Sequence, residues 1–173
     1  MQSFRGVIKY IFLMPLVEIG LKLTLHYPIR ALFLKILGAK IGKNTVIYDI
    51  KLLHYCEGSI RNLIIGNNVY IAPNVTIDLR DKVIIKDNVT ISPNVLILTH
   101  VNSHNKLSKL YPFRKAKVTI KENSWICASS TILCGTTIGK MSVIGACSLV
   151  REDVKPYTLV AGVPAKKIRE FKN

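Results

Sequence analysis

An aliphatic residue recurs at every sixth position through the C-terminal half of the chain. The series comprises Ile120, Ile126, Ile132, Ile138, Ile144 and Val150, and the residues that follow these positions are small or turn-forming. Neither an α-helix nor an antiparallel strand has a sixfold period, whereas a short strand followed by a tight bend does. The pattern therefore predicts a parallel β-helix, in which three strands per coil enclose a narrow core of stacked aliphatic side chains.

The same sixfold frame extends towards the N-terminus in separate runs. It is present from Ile41 to Ile47, in a second run with Ile65, Ile71 and Ile77, and in a third run with Ile85, Ile91 and Ile97. The frame slips across residues 78–82 and again across residues 100–117. Asparagine recurs near the expected corners, where left-handed turns are needed. A β-sandwich is disfavoured, because its strands would alternate with a period of two. The two interruptions are expected to leave the solenoid as loops, which is where sites usually lie.

Three segments are predicted: an N-terminal amphipathic helical segment at residues 1–39, the solenoid at 40–165 with its loop at 100–117, and a basic C-terminal tail at 166–173. The apolar sequence of the first segment is interrupted by charges, so a membrane-spanning helix is not expected. Two helices, broken near Pro15 or near Tyr27-Pro28, fit better. They either cap the open end of the solenoid or also lie peripherally on the inner face of the membrane.

The chain is strongly basic, with a net charge of +15. Residues 1–40 contain six basic residues and one acid: Arg5, Lys9, Lys22, Arg30, Lys35 and Lys40 against Glu18. No nucleic-acid partner is predicted, because the sequence has no recognised binding motif and no basic stripe interleaved with aromatics. A membrane surface or an anionic small substrate such as coenzyme A is the expected partner. The cysteines at 127, 134 and 147 have no metal-type spacing and are expected to be buried thiols, which favours a cytoplasmic location.

The stretch from Gly38 to Glu170 resembles the left-handed β-helix acyltransferases. Its second half, WICASSTILCGTTIGKMSVIGACSLVREDVKPYTLVAGVPAKKIRE, is similar to the maltose and galactoside O-acetyltransferases. Its opening, LGAKIGKNTVI after a basic apolar helix, is more like enzymes that acetylate sugars of cell-surface polysaccharides. The resemblance implies an all-β fold, a left-handed parallel β-helix, and an acetyl-CoA-dependent O-acetyltransferase acting on a sugar or glycan hydroxyl. It also implies a homotrimer with the active site between subunits and no metal.

Such a transferase needs a base that removes the proton of the attacking hydroxyl, and histidine suits this role because its pKa lies near neutrality. In the family a catalytic histidine follows a coil anchor at the base of the long loop. In the segment LILTHVNSHN the first candidate is therefore His100, and the second is His104.

The resemblance also assigns candidate binding residues. For the coenzyme these are Trp125 beside the acyl tunnel, small residues along the coils at Ala128 and Ala146, and basic contacts to the phosphates at Lys166, Arg169 and Arg151. For the acceptor sugar, the candidates are Asn74, Asp78 and Asp81. An aspartate in this neighbourhood holds the sugar or orients the histidine in relatives.

Two other functions remain open from the sequence. An N-acetyltransferase for an amino sugar or an antibiotic would use the same scaffold and base, and only its acceptor would differ. A β-helix metalloenzyme of the carbonic anhydrase type would need three histidine ligands, contributed across a subunit interface. Enough imidazoles are present, at His26, His54, His100 and His104, but the coil segments carry no histidine at ligand-like spacing.

Overall fold

A computed structural model describes residues 9–24, 27–103 and 105–172, and most of this length forms a parallel β-helix. The residues with the sixfold period face its core. Ile71, Ile91, Ile126 and Ile144 follow one another in successive coils, and none of them has exposed surface. Burial of one such side chain contributes roughly 1.5–3 kcal/mol. The core is therefore a continuous aliphatic stack, as the sequence predicts.

The strands form the three faces of a triangular prism, named A, B and C here. Face A contains β1 (Lys40–Ile41), β4 (Leu63–Ile65), β7 (Val83–Ile85), β12 (Val118–Ile120) and β15 (Thr137–Ile138). Face B contains β2 (Val46–Ile47), β5 (Tyr70–Ile71), β8 (Thr90–Ile91), β13 (Trp125–Ile126), β16 (Val143–Ile144), β18 (Thr158–Gly162) and β19 (Ala165–Glu170). Face C contains β3 (Ile50–Leu53), β6 (Val75–Asp78), β9 (Leu96–Ile97), β14 (Thr131–Ile132) and β17 (Leu149–Val150). Neighbouring strands in a face are parallel, except that β19 returns antiparallel to β18.

Asparagines turn the chain at the edge between faces A and B. Asn44, Asn68 and Asn88 have φ angles of 53°, 54° and 57°, in the left-handed region that asparagine tolerates better than most residues. Their side chains form a ladder, with Asn44 Nδ2 donating to Asn68 Oδ1 at 3.3 Å and Asn68 Nδ2 donating to Asn88 Oδ1 at 3.1 Å. The predicted left-handed asparagine corners are confirmed at Asn68 and Asn88, and Asn44 adds another.

The N-terminal segment contains a π-helical turn at Lys9–Leu13, helix α1 at Met14–Leu23 and helix α2 at Tyr27–Ile36. Of the two predicted breaks, the one near Tyr27-Pro28 agrees with the structure. Pro15 lies in the first turn of α1, directly after the π-helical turn, so it marks a change of helix type and not a break. None of the described helices has the length and apolarity needed to cross a bilayer.

The helices pack on the first coil of the solenoid. Val17, Leu21 and Leu34 are buried in the same apolar cluster as the coil anchors. The guanidinium of Arg30, which is only 5% exposed, donates to the carbonyl oxygens of Ile47 in β2 at 3.3 Å and of Leu21 at 3.2 Å. These contacts tie both helices to the end of the prism, as a cap requires.

The edge between faces C and A, called the C–A edge here, carries the largest departures from the repeat. Residues 54–62 form one excursion. Residues 98–117 form another, in which β10 (His100–Val101) pairs antiparallel with β11 (Arg114–Lys115). The predicted loop at 100–117 is thus a hairpin whose first residue is His100.

Two expectations from the sequence are wrong. Residues 166–173 are not simply a tail, because residues 165–170 form β19, which pairs antiparallel with β18. Cys134 is buried, but Cys127 is half-buried and Cys147 is exposed. Cys147 occupies a corner with φ 57°, so its side chain is not directed into the core.

Candidate active site

A fully buried carboxylate lies at the C–A edge and organises the residues around it. Asp78 Oδ2 accepts hydrogen bonds from His100 Nδ1 at 2.6 Å, from the Thr99 N–H at 2.9 Å and from the Thr99 hydroxyl at 2.8 Å. Asp78 Oδ1 accepts from the Arg80 N–H at 3.1 Å and lies 3.1 Å from His54 Nδ1. Of the predicted candidates, His100 and Asp78 are therefore brought together.

The repeat itself brings these side chains together. In face C, the anchor Leu52 pairs with Ile77, and Ile77 pairs with Ile97. His54, Asp78 and His100 follow these three anchors by two, one and three positions respectively. Three successive coils therefore each deliver one polar side chain to the same edge.

The surroundings keep Asp78 ionised. Burial alone would raise its pKa, but the hydrogen bonds from His100, from both donors of Thr99 and from the Arg80 N–H outweigh burial, and the pKa of Asp78 is lowered from its ordinary value. An ionised Asp78 can only accept hydrogen bonds, so His100 donates to it from Nδ1, and in that tautomer the lone pair of the neutral ring is on Nε2. In this tautomer Nε2 can accept a proton from an acceptor hydroxyl.

The hairpin forms one wall beside His100. The ring centroid of Phe113 lies 6.3 Å from that of His100, and the guanidinium of Arg80 lies 5.7 Å from the Phe113 centroid. Arg80 also donates to Glu57 Oε1 at 3.1 Å, which connects this wall to the 54–62 excursion. The two excursions are thus held against each other around the Asp78 carboxylate.

A groove of about 790 Å³ runs between α1 and β3 and ends at the 54–62 excursion. Its lining residues include apolar side chains of α1, the run from Asp49 to Glu57, and Asn74 and Thr76. Tyr55 donates a hydrogen bond to the Met14 carbonyl at 3.3 Å, and burial, with smaller contributions from Glu18 and Cys56, raises its pKa to about 12. Of the two histidines on Asp78, His54 lines this groove.

The other predicted acceptor residues have different positions. Asn74 lines the groove, and its φ of 61° also makes it a left-handed corner. Asp81 does not reach either histidine, since its carboxylate accepts from the Lys82 N–H at 2.7 Å and so closes a local turn. His104 lies outside the described residues.

The residues predicted for the acyl and pantetheine groups lie away from His100. Trp125 is half-exposed on face B and donates from Nε1 to Ser92 Oγ at 2.9 Å. Ala128 and Ala146 lie one coil apart at the edge between faces B and C, where the Cys147 N–H donates to the Ala128 carbonyl at 3.0 Å. Face C separates this edge from the edge of His100.

The predicted basic contacts are exposed and also lie far along the solenoid. Lys166 and Arg169 are on β19, paired with Ala161 and Leu159 of β18. Arg151 follows β17 at the C–A edge, and its Nε lies 3.4 Å from Glu152 Oε1. Within one chain, therefore, these cations and His100 do not converge on one site.

His54 is the site residue that the sequence analysis missed. It was considered only as one of several imidazoles for a metalloenzyme, because it stands in an irregular segment outside the clear hexads. Aligning the face C anchors points to it, since His54 follows Leu52 by two positions and Asp78 follows Ile77 by one.

His54, Asp78 and His100 also form a candidate metal-ligand set, with their ligand atoms within 4.8 Å of one another. Both imidazoles already direct Nδ1 at the Asp78 carboxylate, as hydrogen-bonded groups do. The three-histidine set of the metalloenzyme alternative does not occur among the described residues, and His26 and His104 lie outside them.

Comparisons with known proteins point in one direction. No model of a known protein family matches the chain. The galactoside O-acetyltransferase of Escherichia coli strain K12 is 39% identical over 107 residues, which are 62% of this chain and 43% of that enzyme. WcaF of the same organism, an acetyltransferase provisionally named for colanic acid biosynthesis, is 29% identical over 145 residues, which are 83% of this chain and 76% of WcaF.

A solved structure supports the same relationship over nearly the whole chain. A galactoside acetyltransferase in complex with coenzyme A superposes with a TM-score of 0.81 at 30% identity, covering 99% of this chain and 84% of the other. The chain spans less than half of the length of the E. coli galactoside enzyme.

Proposed function

Because this chain belongs to the hexapeptide-repeat acyltransferase family, we propose that it transfers an acetyl group from acetyl-CoA to a hydroxyl group of a sugar. The observation that carries the proposal is the pair formed by His100 and the buried Asp78, joined by a 2.6 Å hydrogen bond. This pair supplies the base that the reaction needs, and the relatives named above are acetyltransferases.

The reaction follows from the geometry of the pair. His100 Nε2 removes the proton from the acceptor hydroxyl while that oxygen attacks the thioester carbonyl. The new C–O bond forms, the C–S bond breaks, and the departing coenzyme A thiolate takes up the proton from His100. Asp78 stays ionised and stabilises the imidazolium that forms between these steps, as a carboxylate hydrogen-bonded to Nδ1 does in other acyl-transfer sites.

The proposed coenzyme site is completed by a second subunit. Trp125, Ala128, Ala146, Lys166 and Arg169 are the candidates for coenzyme contacts, and they lie on face B and on the edge between faces B and C. His100 lies on the next edge of the prism. Parallel packing of prisms would set the coenzyme edge of one copy against the His100 edge of another, so we propose a homotrimer with its sites between subunits.

A glycan of a cell-surface polysaccharide is the proposed acceptor. The name of WcaF supports this class, and the open groove beside His54 has room for more than one sugar ring. An N-acetyltransferase remains the other enzymatic candidate, because the same base would serve an amine.

The N-terminal helices are proposed to bring the enzyme to the inner face of the membrane. One side of each helix is buried on the coil, whereas the large apolar side chains of the other side are exposed: Ile11, Phe12, Leu16, Ile19, Leu23, Ile29, Leu32 and Ile36. Lys22 and Lys35 accompany them, as expected for a helix that lies among anionic headgroups.

A thiol-release assay with acetyl-CoA tests the chemistry. Wild-type protein is offered simple glycosides, nucleotide sugars and lipid-linked glycans, together with amino-sugar analogues, and the product bond is identified by its lability in mild base. Ester formation supports the proposal. Amide formation would replace it by the N-acetyltransferase, and carbon dioxide hydration without thiol release would favour the metalloenzyme.

Sedimentation with phosphatidylglycerol vesicles tests the membrane contact. Deleting the helices would expose the first coil, because their buried side covers it. Substitutions at exposed positions are therefore the better test. Ile19→Gln with Leu23→Gln changes only exposed positions and should abolish sedimentation while leaving the melting temperature nearly unchanged. Sedimentation that is equal in the wild type and the variant, or absent from both, would leave the helices with a capping role alone.

A further inference from the structure

One carboxylate serves two imidazoles, although the proposed reaction moves a single proton. His54 Nδ1 lies 3.1 Å from Asp78 Oδ1, and His100 Nδ1 lies 2.6 Å from Asp78 Oδ2. The two rings meet edge to face, with centroids 4.5 Å apart and planes inclined at 78°. His100 alone can act as the base, so the reaction leaves His54 without a role.

The backbone at His54 is left-handed. Its φ of 54° lies in the left-handed region, where the asparagine corners of this protein also lie. A backbone turn alone would be made more easily by asparagine or glycine. Ser129, Met141, Cys147 and Tyr157 have similar φ angles, so the case for the imidazole rests on its contacts and not on the backbone.

The free nitrogen of His54 is available to a ligand. Nδ1 is directed at Asp78, so Nε2 lies on the opposite side of the ring, and it has no hydrogen-bond partner within residues 9–24, 27–103 and 105–172. The side chain is 35% exposed and lines the groove beside α1, whereas the His100 side chain is 12% exposed. A molecule in this groove therefore meets His54 beside His100.

We propose that His54 binds a second hydroxyl of the acceptor, adjacent to the hydroxyl that His100 deprotonates. This inference rests on the proposed function and specifies its substrate class as a sugar with two neighbouring free hydroxyls. In the tautomer that donates from Nδ1 to this carboxylate, each imidazole presents an accepting Nε2 to the acceptor. Each of two adjacent hydroxyls can then donate to one imidazole.

Only one of the two protons is transferred. When His100 becomes imidazolium, its charge balances that of Asp78. A second proton on His54 would give this small, partly buried cluster a net positive charge, which is unfavourable. His54 is therefore a binding and positioning residue, and the hydroxyl that it holds is not acetylated in the same step.

His54→Asn is the variant that separates the two functions of the ring. The amide nitrogen of asparagine occupies roughly the place of imidazole Nδ1, so it can still donate to Asp78, and asparagine accepts a φ of 54°. The variant loses only the group at Nε2. His54→Gln is the matched control, because its longer side chain carries an amide to roughly the place of Nε2.

The experiment combines removal of the residue with removal of the hydroxyl. The probes are methyl β-D-galactopyranoside and its monodeoxy analogues, or the corresponding analogues of whichever acceptor the thiol-release assay identifies. For the wild type, kcat/KM should fall roughly tenfold or more when the neighbouring hydroxyl is removed. For His54→Asn, kcat/KM for the parent sugar should fall by a similar factor, mainly through a higher KM. Removal of the neighbouring hydroxyl should then cause no further fall. His54→Gln should recover part of the loss, and KM for acetyl-CoA should stay constant.

The other outcomes overturn the inference in distinguishable ways. If His54→Asn lowers kcat/KM by the same factor for the parent sugar and for the analogue, His54 acts through Asp78 or through the fold. If the wild type acetylates an isolated hydroxyl as well as a paired one, the proposed function stands and the role of His54 fails. If the wild type binds acetyl-CoA but acetylates no acceptor of any kind, the proposed function itself fails.

Discussion

The faces of the prism and its C–A edge differ in how far the chain may depart from the repeat. Along face B the anchors Ile71, Ile91, Ile126 and Ile144 are equivalent in neighbours and burial. At the C–A edge each coil is different, because residues 54–62, 78–82 and 98–117 leave the frame by different lengths. The faces thus provide stability by repetition, while the edge places three unlike residues around one point.

The same edge also changes character along the solenoid. In the coil after β14, the chain turns tightly through Gly135, whose φ is 84°. Only the earlier coils carry excursions, and these deliver His54, Asp78 and His100. A regular coil can hold the site rigidly, but a departure from regularity is what creates the site.

Replacing His100 should give the largest loss of activity with little loss of stability. His100→Ala removes the proposed base, and kcat should fall by about 10²–10⁴ while the affinity for acetyl-CoA stays nearly constant. Steady-state kinetics and equilibrium binding check the two halves of this prediction. Val101→Ala, at the next position of the hairpin, serves as the control. Near-normal turnover in His100→Ala would transfer the role to His104 or refute the mechanism.

Replacing an anchor should have the reverse effect. Ile91 has no exposed surface and lies between the anchors of the neighbouring coils, so Ile91→Ala should lower the free energy of unfolding by about 2–5 kcal/mol. Ile168→Ala, at a side chain that is 63% exposed, should change it by about 0.5 kcal/mol or less. Denaturant unfolding at a fixed protein concentration measures both. Equal losses would mean that the faces do not carry the stability.

The basic residues of β19 should affect the binding of acetyl-CoA and not the chemical step. Lys166→Ala with Arg169→Ala should raise KM for acetyl-CoA roughly tenfold, with a smaller rise for the dephospho form, because the lost contacts are to phosphate. Lys167→Ala is the control on the same strand, since Lys167 Nζ contacts Glu170 at 3.1 Å. If KM rises equally for both donors, these cations contact the pyrophosphate or stabilise the pairing of β18 with β19 instead.

The faces could be predicted from the sequence almost completely, and the edge only in part. The sixfold period of the isoleucines fixes which residues enter the core, and the asparagines mark left-handed corners by their own chemistry. His100 could be predicted from its place after an anchor and from the family resemblance. His54 could not, because residues 54–62 have no period, and its contact with Asp78 depends on how three coils are stacked. The strand at 165–170 was missed because its exposed basic residues lack the apolar alternation of a buried strand.

The smallest expected effect concerns the acid stability that Asp78 gives the edge. Burial would raise the pKa of this carboxyl, but the hydrogen bonds from His100, Thr99 and Arg80 lower it below the ordinary value. A carboxyl with a lower pKa in the folded state stabilises the fold at pH values above its unfolded pKa of about 3.9, and this contribution is lost as pH falls through the folded pKa. Asp78→Asn should therefore flatten the dependence of the melting temperature on pH below about 4, even where the substitution also lowers the melting temperature at neutral pH. Asp81→Asn removes a carboxylate that caps a local turn and contacts neither histidine, so it serves as the control. A wild type, Asp78→Asn and Asp81→Asn with parallel melting curves across this range would show that the edge gains no stability from the ionised carboxylate, and that its hydrogen bonds serve only to position the two imidazoles.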